Sequence, residues 1–207
     1  MLQVQEKRLA EIQLETLRRQ LNPHFTFNAI NSLQYYILKN ETDLALDYLC
    51  KLSGLIRHTL DRSSKIYVPL ADELTYLKAY MTIENTRVEN KVSWDINVDD
   101  KIDKQRVHIP PMLIHPFIEN VFLHSFQGDH GEPKIEIDFK LINENHICCT
   151  IRDNGVGFDP SCISEGIDLV KERLNLMPSV QSQILTITST MGKGTCVKLI
   201  LNFSIIL

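Results

Sequence analysis

The stretch QLNPHFTFNAINSL, residues 20–33, sets Pro23 and His24 inside a segment that otherwise reads as helix over residues 3–38. That segment is rich in Leu, Gln, Glu and Arg and free of glycine. Leu14, Leu17, Leu21 and Phe25 recur at spacings of three and four and form one apolar stripe, with His24 at its border. Two readings compete for this break. One is a kinked helix with a packed histidine. The other is a helix that holds an imidazole at its edge for another domain. Pro23 has no N–H to donate and loosens the turn at which His24 stands. A stripe this narrow on so long a helix suits a partner helix, as in a dimer.

Downstream, Thr42 is an N-cap for a second helix whose apolar face is supplied by Leu44, Leu46, Leu49, Leu52, Leu55, Ile56 and Leu60. With a turn near residues 39–42, the two segments form a helical hairpin. One hairpin buries little surface, so two copies pairing into a four-helix bundle is the economical arrangement. Residues 1–66 are therefore expected to be a helical dimerisation stem, and SSKIYVP, residues 63–69, reads as a linker.

Residues 67–207 change character. Pro69 opens an amphipathic helix reaching about Asn90. KVSWDINVDD, residues 91–100, alternates as a strand, and PPMLIHPFIENVFLHSF, residues 110–126, is a mostly apolar helix. Two strands flank the turn Asn143-Glu144-Asn145, a helix follows the loop from Gly155 to Glu165, and two further strands flank MGKG, residues 191–194. Strands clustered in hairpins with helices between them predict an α+β domain, one mixed sheet covered by helices on one face.

Composition narrows the function. A net charge of −4 provides no basic field for nucleic acid or anionic lipid. The five cysteines lack CxxC spacing, which argues against a zinc site and a disulfide framework and favours a reducing, cytosolic setting. Cys148 and Cys149 suit the two faces of a strand. No apolar run approaches the ~18 residues of a membrane span. The charge-interrupted N-terminus is no signal peptide, so any membrane anchor is expected upstream.

Three motifs carry possible chemistry. In IRDNGVGFD, residues 151–159, an acid ends a buried strand and two glycines follow. Asp153 could then accept a hydrogen bond from an exocyclic amine such as adenine's, with Gly155 and Gly157 letting the backbone approach a ligand. An ordinary Asp-Asn-Gly turn is the alternative. Asn120 stands among Phe117, Ile118, Val121, Phe122 and Leu123, where a buried amide must be paired. Its oxygen suits Mg²⁺ beside nucleotide phosphates, with Glu119 able to hold a metal-bound water. The alternative is a helix whose polar side faces solvent. The Gly-Lys-Gly-Thr of residues 192–195 lacks phosphate-loop spacing, although Thr195 could contact a nucleotide. The remaining histidines, His58, His108, His115, His124, His130 and His146, show no i, i+4 metal pairing.

The order of these features decides between the readings. QLNPHFTFN, LSGLIRHTL, LADELTYLKAYMTIENTRV, IPPMLIHPFIEN and RDNGVGF follow one another over Leu14 to Phe203, and this succession resembles sensor histidine kinases of the LytS-like type. The resemblance implies a homodimeric stem whose phospho-acceptor is His24; Asn28, one turn on, could hydrogen-bond the ring and fix its tautomer. It also implies a Bergerat-type (GHKL) ATP-binding domain. Asn120 matches the Mg²⁺-binding asparagine of the N box, with Glu119 as its acidic neighbour and a possible base. Asp153, Gly155 and Gly157 match the adenine-binding box, Gly166 the next glycine box, and Gly194-Thr195 the late Gly-Thr. Arg87 falls at the family's helical arginine, without an assigned role. ATP and Mg²⁺ are the implied cofactors, and a response-regulator receiver domain is the implied partner. The implied location is the cytoplasmic portion of an inner-membrane receptor.

The chain departs from the family pattern at Leu123, where a lysine is usual, and at Ser164 and Leu169, which replace a glycine and an asparagine. Glu165 and Asp168 add negative charge near the expected polyphosphate. Two functions follow from this balance: an autophosphorylating histidine kinase, or a degenerate dimeric scaffold or response-regulator phosphatase that binds nucleotide weakly. A chaperone-like or gyrase-like ATPase ranks below both, since nothing else in the chain supplies a substrate-handling domain.

Overall fold

A computed structural model describes residues 23–63, 65–88, 91–126, 132–158, 165–176 and 184–205. Leu14, Leu17 and Leu21 of the apolar stripe, and Cys162 and Ser164, lie outside the described residues.

Two helices open the described chain, α1 (Pro23–Leu38) and α2 (Thr42–Ser63). Between them Asn40 takes φ 59°, a left-handed turn that asparagine tolerates well. The expected hairpin is present. Ala29, Tyr48 and Leu55 from its inner side join the main core. A third helix, α3 (Leu70–Arg87), has Pro69 as its N-cap and Asp72 and Glu73 in its first turn, where carboxylates complement the helix dipole. Leu70, Leu74, Leu77, Tyr80, Met81 and Ile83 are all buried on it. So broad an apolar face fits a helix with packed neighbours on more than one side: α1 and α2 of the hairpin contact it.

The principal sheet has five strands in the order β2 (Ser93–Val98), β4 (Lys134–Asn143), β5 (His146–Asp153), β7 (Gly194–Asn202) and β6 (Ile184–Thr190). The β2–β4 pair is parallel and the others are antiparallel, so the sheet is mixed, as expected. Asn143 makes the β4–β5 turn by accepting the N–H of Asn145 through its side chain at 3.0 Å. Ile137, Ile151 and Val197 stand abreast across three strands, as do Phe139, Cys149 and Leu199, and all six are buried. Each contributes about 1.5–3 kcal/mol by leaving water, somewhat less for the smaller Cys149. Alternate residues such as Asp138, Arg152 and Lys198 are less buried, and Asp138 pairs with Arg152 at 2.7 Å. One sheet face is thus covered. Its cover includes α4 (His115–Asn120), which runs on as a π-helical turn (Val121–Ser125), and α5 (Glu165–Leu176) with Ile167, Val170 and Leu174.

A second, three-stranded sheet was not legible as sequence pattern. It joins β1 (Val68–Pro69), β3 (Val107–Ile109) and β8 (Ser204–Ile205), all antiparallel. Strands of two or three residues are too short for an alternation to register. The expected linker at residues 63–69 therefore ends in a paired strand. Cys50, Cys148, Cys149 and Cys196 are free thiols, with Cys149 buried and Cys148 half-buried, on opposite faces of β5.

Candidate functional site

Asp153 ends β5 directly opposite Thr195 on β7. Its Oδ1 accepts the Gly155 N–H at 2.9 Å. Burial raises the carboxyl pKa, while hydrogen bonds from Gly155, the Ser125 side chain and the N–H and hydroxyl of Thr195 oppose that rise. The carboxylate is fixed at the foot of a bend whose backbone has little room on either side. A Cβ on Gly155 would collide with the carbonyl of Ser125, which accepts the Val156 N–H at 2.8 Å. Gly157 takes φ +65°, and a Cβ there would collide with the carbonyl of Thr190. The Gly192 N–H closes the clamp on the Val156 carbonyl at 2.6 Å. Glycine is thus required at both positions by the protein backbone packed against them.

The bend floors a cavity of about 220 Å³. Its polar lining includes Asn120, His124, Ser125, Asp153 and Thr195, and Phe117, Val121, Ile151, Ile167 and Val197 form apolar walls. Four of the expected residues, Asn120, Asp153, Gly157 and Thr195, therefore meet on one cavity. Gly155 lies behind it against Ser125, and Gly194, at φ +86°, lies against the Asp153 carbonyl. Glu119 and Gly166 are not among the described lining residues. The Glu119 charge instead bears on Tyr76 and Tyr80 of α3, whose phenols burial raises and Glu119 raises further.

His124 was missed as a site residue. A straight α-helix aligned on the family's lysine points to Leu123, three residues after Asn120. His124, four residues after Asn120 and so a neighbour on the same helix face, joins it on the cavity where the helix runs on as the π turn Val121–Ser125. The one available signal was a polar pair, His124-Ser125, in an apolar helix.

His24 stands in the first turn of α1; its side chain lies outside the described residues. Its neighbour Phe25 stacks on Tyr80 at 5.8 Å, and Tyr80 packs edge-on against His115 at 4.3 Å. His115 is the first residue of α4, whose last is Asn120. Burial holds the His115 imidazole neutral, pushing its pKa down to about 3, and Nδ1 lies 3.3 Å from the Tyr76 hydroxyl. Phe25 packs within the chain, whereas Phe27 is 65% exposed. Asn28 lines a separate polar cavity of about 400 Å³ with Asn31, Ser32, Tyr36, Thr86 and Arg87. Arg87 Nε donates there to Glu84 Oε2 at 2.9 Å.

The histidine kinase family model matches residues 12–92. The sensor protein LytS of Bacillus subtilis is 28% identical over 163 residues, 79% of this chain and 27% of that protein. An uncharacterized sensor-like histidine kinase of Staphylococcus epidermidis is 34% identical over 75% of this chain and 29% of its own length. The sensor histidine kinase/phosphatase LytS of Staphylococcus aureus MRSA252 is 32% identical over 75% of this chain and 26% of its own length. The chain thus spans under a third of these curated relatives. Among solved structures, the histidine kinase domain of a blue-light activated histidine kinase from Erythrobacter litoralis aligns with TM-score 0.54 and 16% identity, covering 94% of this chain and 95% of that one. That likeness speaks for the fold. By the family model and these relatives, the chain belongs to the LytS-like sensor histidine kinases.

Proposed function

We propose that this chain is the transmitter portion of a two-component sensor, which binds ATP, phosphorylates His24 and passes the phosphoryl group to an aspartate of a response-regulator receiver domain. The meeting of Asn120, His124, Asp153 and Thr195 on one cavity carries this reading. A pocket that encloses a whole drug-sized ligand measures about 300–1,000 Å³. The present cavity, about 220 Å³, suits a purine base with the rest of the nucleotide leaving at its mouth. In this reading Asp153 accepts the adenine amine, Gly157 lines the cavity beside the ring, and Gly155 and Gly194 allow the close backbone packing that holds Asp153 in place. Thr195 adds a hydroxyl, and Gly166 marks the helix beyond the polyphosphate.

Asn120 offers the hard oxygen that Mg²⁺ prefers, and Mg²⁺ is commonly held by one or two protein ligands together with substrate phosphates. Among the described residues no group of three His, Cys, Asp or Glu could hold a metal. Asn120 would hold the ion together with the nucleotide's phosphates, whose charge it would neutralise. His124 contributes a hydrogen-bond donor where the family lysine is missing. In the transfer, a ring nitrogen of His24 forms its bond to the γ-phosphorus as the bond to the bridging oxygen breaks and ADP leaves. The protein's own work is positioning. Asn28 is one turn from His24, and Glu119 is assigned the weaker role of acidic neighbour to Asn120.

Residues 1–66 as stem and 67–207 as ATP-binding unit, with the stem dimeric, fit the exposed apolar side chains of the hairpin, Phe27 and Leu38 at 65% and 83% among them. No helix among the described residues is long and apolar enough to cross a membrane. A cytoplasmic position below an upstream sensor completes the proposal. The second reading, a phosphatase acting on the receiver, is favoured by one observation: a relative whose name carries both activities. Titration with a fluorescent ATP analogue and Mg²⁺ tests the nucleotide site. Saturable binding, displaced by ATP and ADP and lost in Asp153→Asn, is expected; an Asp153→Asn protein that binds as well as wild type would overturn it.

A further inference from the structure

Arg62, Glu73 and Arg173 are buried, at 4%, 0% and 3% exposure, away from the nucleotide cavity. Removing an ion from water costs several kcal/mol even after relaxation, so such a group is weak support for stability and its best-attested use is fixing register. These three charges come from three different elements. Arg62 lies in the last turn of α2, Glu73 in the first turn of α3, and Arg173 on α5.

They converge on one bend. Glu73 Oε1 accepts the Met112 N–H at 3.0 Å, and Glu73 Oε2 faces Arg62 Nη1 at 3.4 Å. Arg62 Nη2 donates to the Asp72 carbonyl, and its guanidinium lies over the Tyr76 ring at 5.3 Å. Arg173 Nη1 donates to the Pro111 carbonyl at 2.6 Å. Pro111 and Met112 lead into α4, which carries Phe117 and Asn120 on the cavity, while α5 places Ile167 on the same cavity. Met112 holds φ 63°, a left-handed backbone that a non-glycine residue adopts only when its surroundings impose it. The Glu73 carboxylate is the surrounding group bonded to that N–H.

We propose that Glu73 is a positioning residue for the nucleotide site, fixing the Pro111–Met112 bend that leads into the Asn120 helix and taking its own position from Arg62 on the stem. Stem and nucleotide cavity are thereby joined through one carboxylate, and whatever displaces the end of α2 displaces the entry to α4. Coupling through it is reciprocal: nucleotide affinity depends on Arg62, and the set of the stem depends on nucleotide. The functional consequence rests on the nucleotide reading above; the mechanical link does not.

The test compares Arg62→Met, Arg62→Lys, Glu73→Gln and the double variant Arg62→Met/Glu73→Gln in the intact chain. Amide hydrogen exchange over residues 110–126 is followed without nucleotide, and ATP dissociation constants are measured separately. Arg62→Met, which strands a buried carboxylate, should speed exchange over 110–126 and weaken ATP binding about tenfold, within the usual range of site-to-site coupling. Arg62→Lys should give a smaller shift of the same sign. The double variant should recover most of both, because the neutral amide that Glu73→Gln introduces still offers an oxygen to the Met112 N–H. A role confined to global stability predicts altered unfolding with unchanged exchange over 110–126 and unchanged affinity in the folded protein, and either variant of Arg62 giving that result overturns the proposal. Should wild type bind no ATP, the nucleotide reading fails while the exchange measurement still decides the link.

Discussion

Gly194 packs against the carbonyl oxygen of Asp153 so closely that no side-chain carbon fits between them, and it does so at φ +86°. The late Gly-Thr is therefore part of how the Asp153 carboxylate is held, since Thr195 pairs with Asp153 across β5 and β7. Gly194→Ala should destabilise the fold by about 2–4 kcal/mol, from left-handed strain plus displacement of β5. Gly192→Ala, at φ +75° with open space around its Cβ position, carries only the strain and should cost about 1–2 kcal/mol. Urea midpoints of the two variants check the ranking.

His124 shares the cavity with Asn120. His124→Ala should raise the KM for ATP several-fold while leaving the fold intact, since the side chain is exposed. His124→Lys should restore affinity, whereas a purely structural histidine would not be rescued by lysine. Steady-state phosphorylation at varied ATP separates these outcomes.

Burial pushes the Glu73 carboxyl up to about 7 from 4.5, against the pull of Arg62 from α2, the Met112 N–H and Arg173 from α5. Asp72 adds a small push in the same upward direction. The folded state thus keeps a proton that the unfolded chain releases between about pH 4.5 and 7. The associated stability is full below the lower value and declines as pH rises through the window. His115, held neutral with a pKa down to about 3, works oppositely and favours the fold as pH rises from 3 toward 6.5. Glu73→Gln isolates the first effect: relative to wild type it should gain stability from pH 4.5 to 7 and then level off, as read from urea midpoints across pH.

Phe27 and Leu38 are exposed on α1 at 65% and 83%. Phe27→Asp should convert a dimer to monomer without lowering the melting temperature of the ATP-binding unit, because the side chain has no buried role within the chain. Sedimentation equilibrium decides; a dimer surviving Phe27→Asp and Leu38→Asp together would place the interface elsewhere.

Much of this architecture could be read from residues alone, for identifiable reasons. The β4–β5 hairpin announced itself through its turn residues Asn143-Glu144-Asn145. The Asp153 bend was legible because Gly155 and Gly157 do what other residues sterically cannot. The short β1–β3–β8 sheet was hidden, since two-residue strands carry no period. His124 was hidden because a polar residue in an apolar helix does not by itself declare which cavity it will line. The Arg62–Glu73–Met112 link was invisible for a third reason: it joins residues 11 and 39 positions apart, and only tertiary packing brings them together.

The central claim is that His24 receives the terminal phosphate of ATP. Incubated with γ-labelled ATP and Mg²⁺, the protein should acquire acid-labile, base-stable label, absent in His24→Gln and in Asp153→Asn. Label that persists in His24→Gln, or no label at millimolar ATP in a protein that binds the nucleotide, would contradict it.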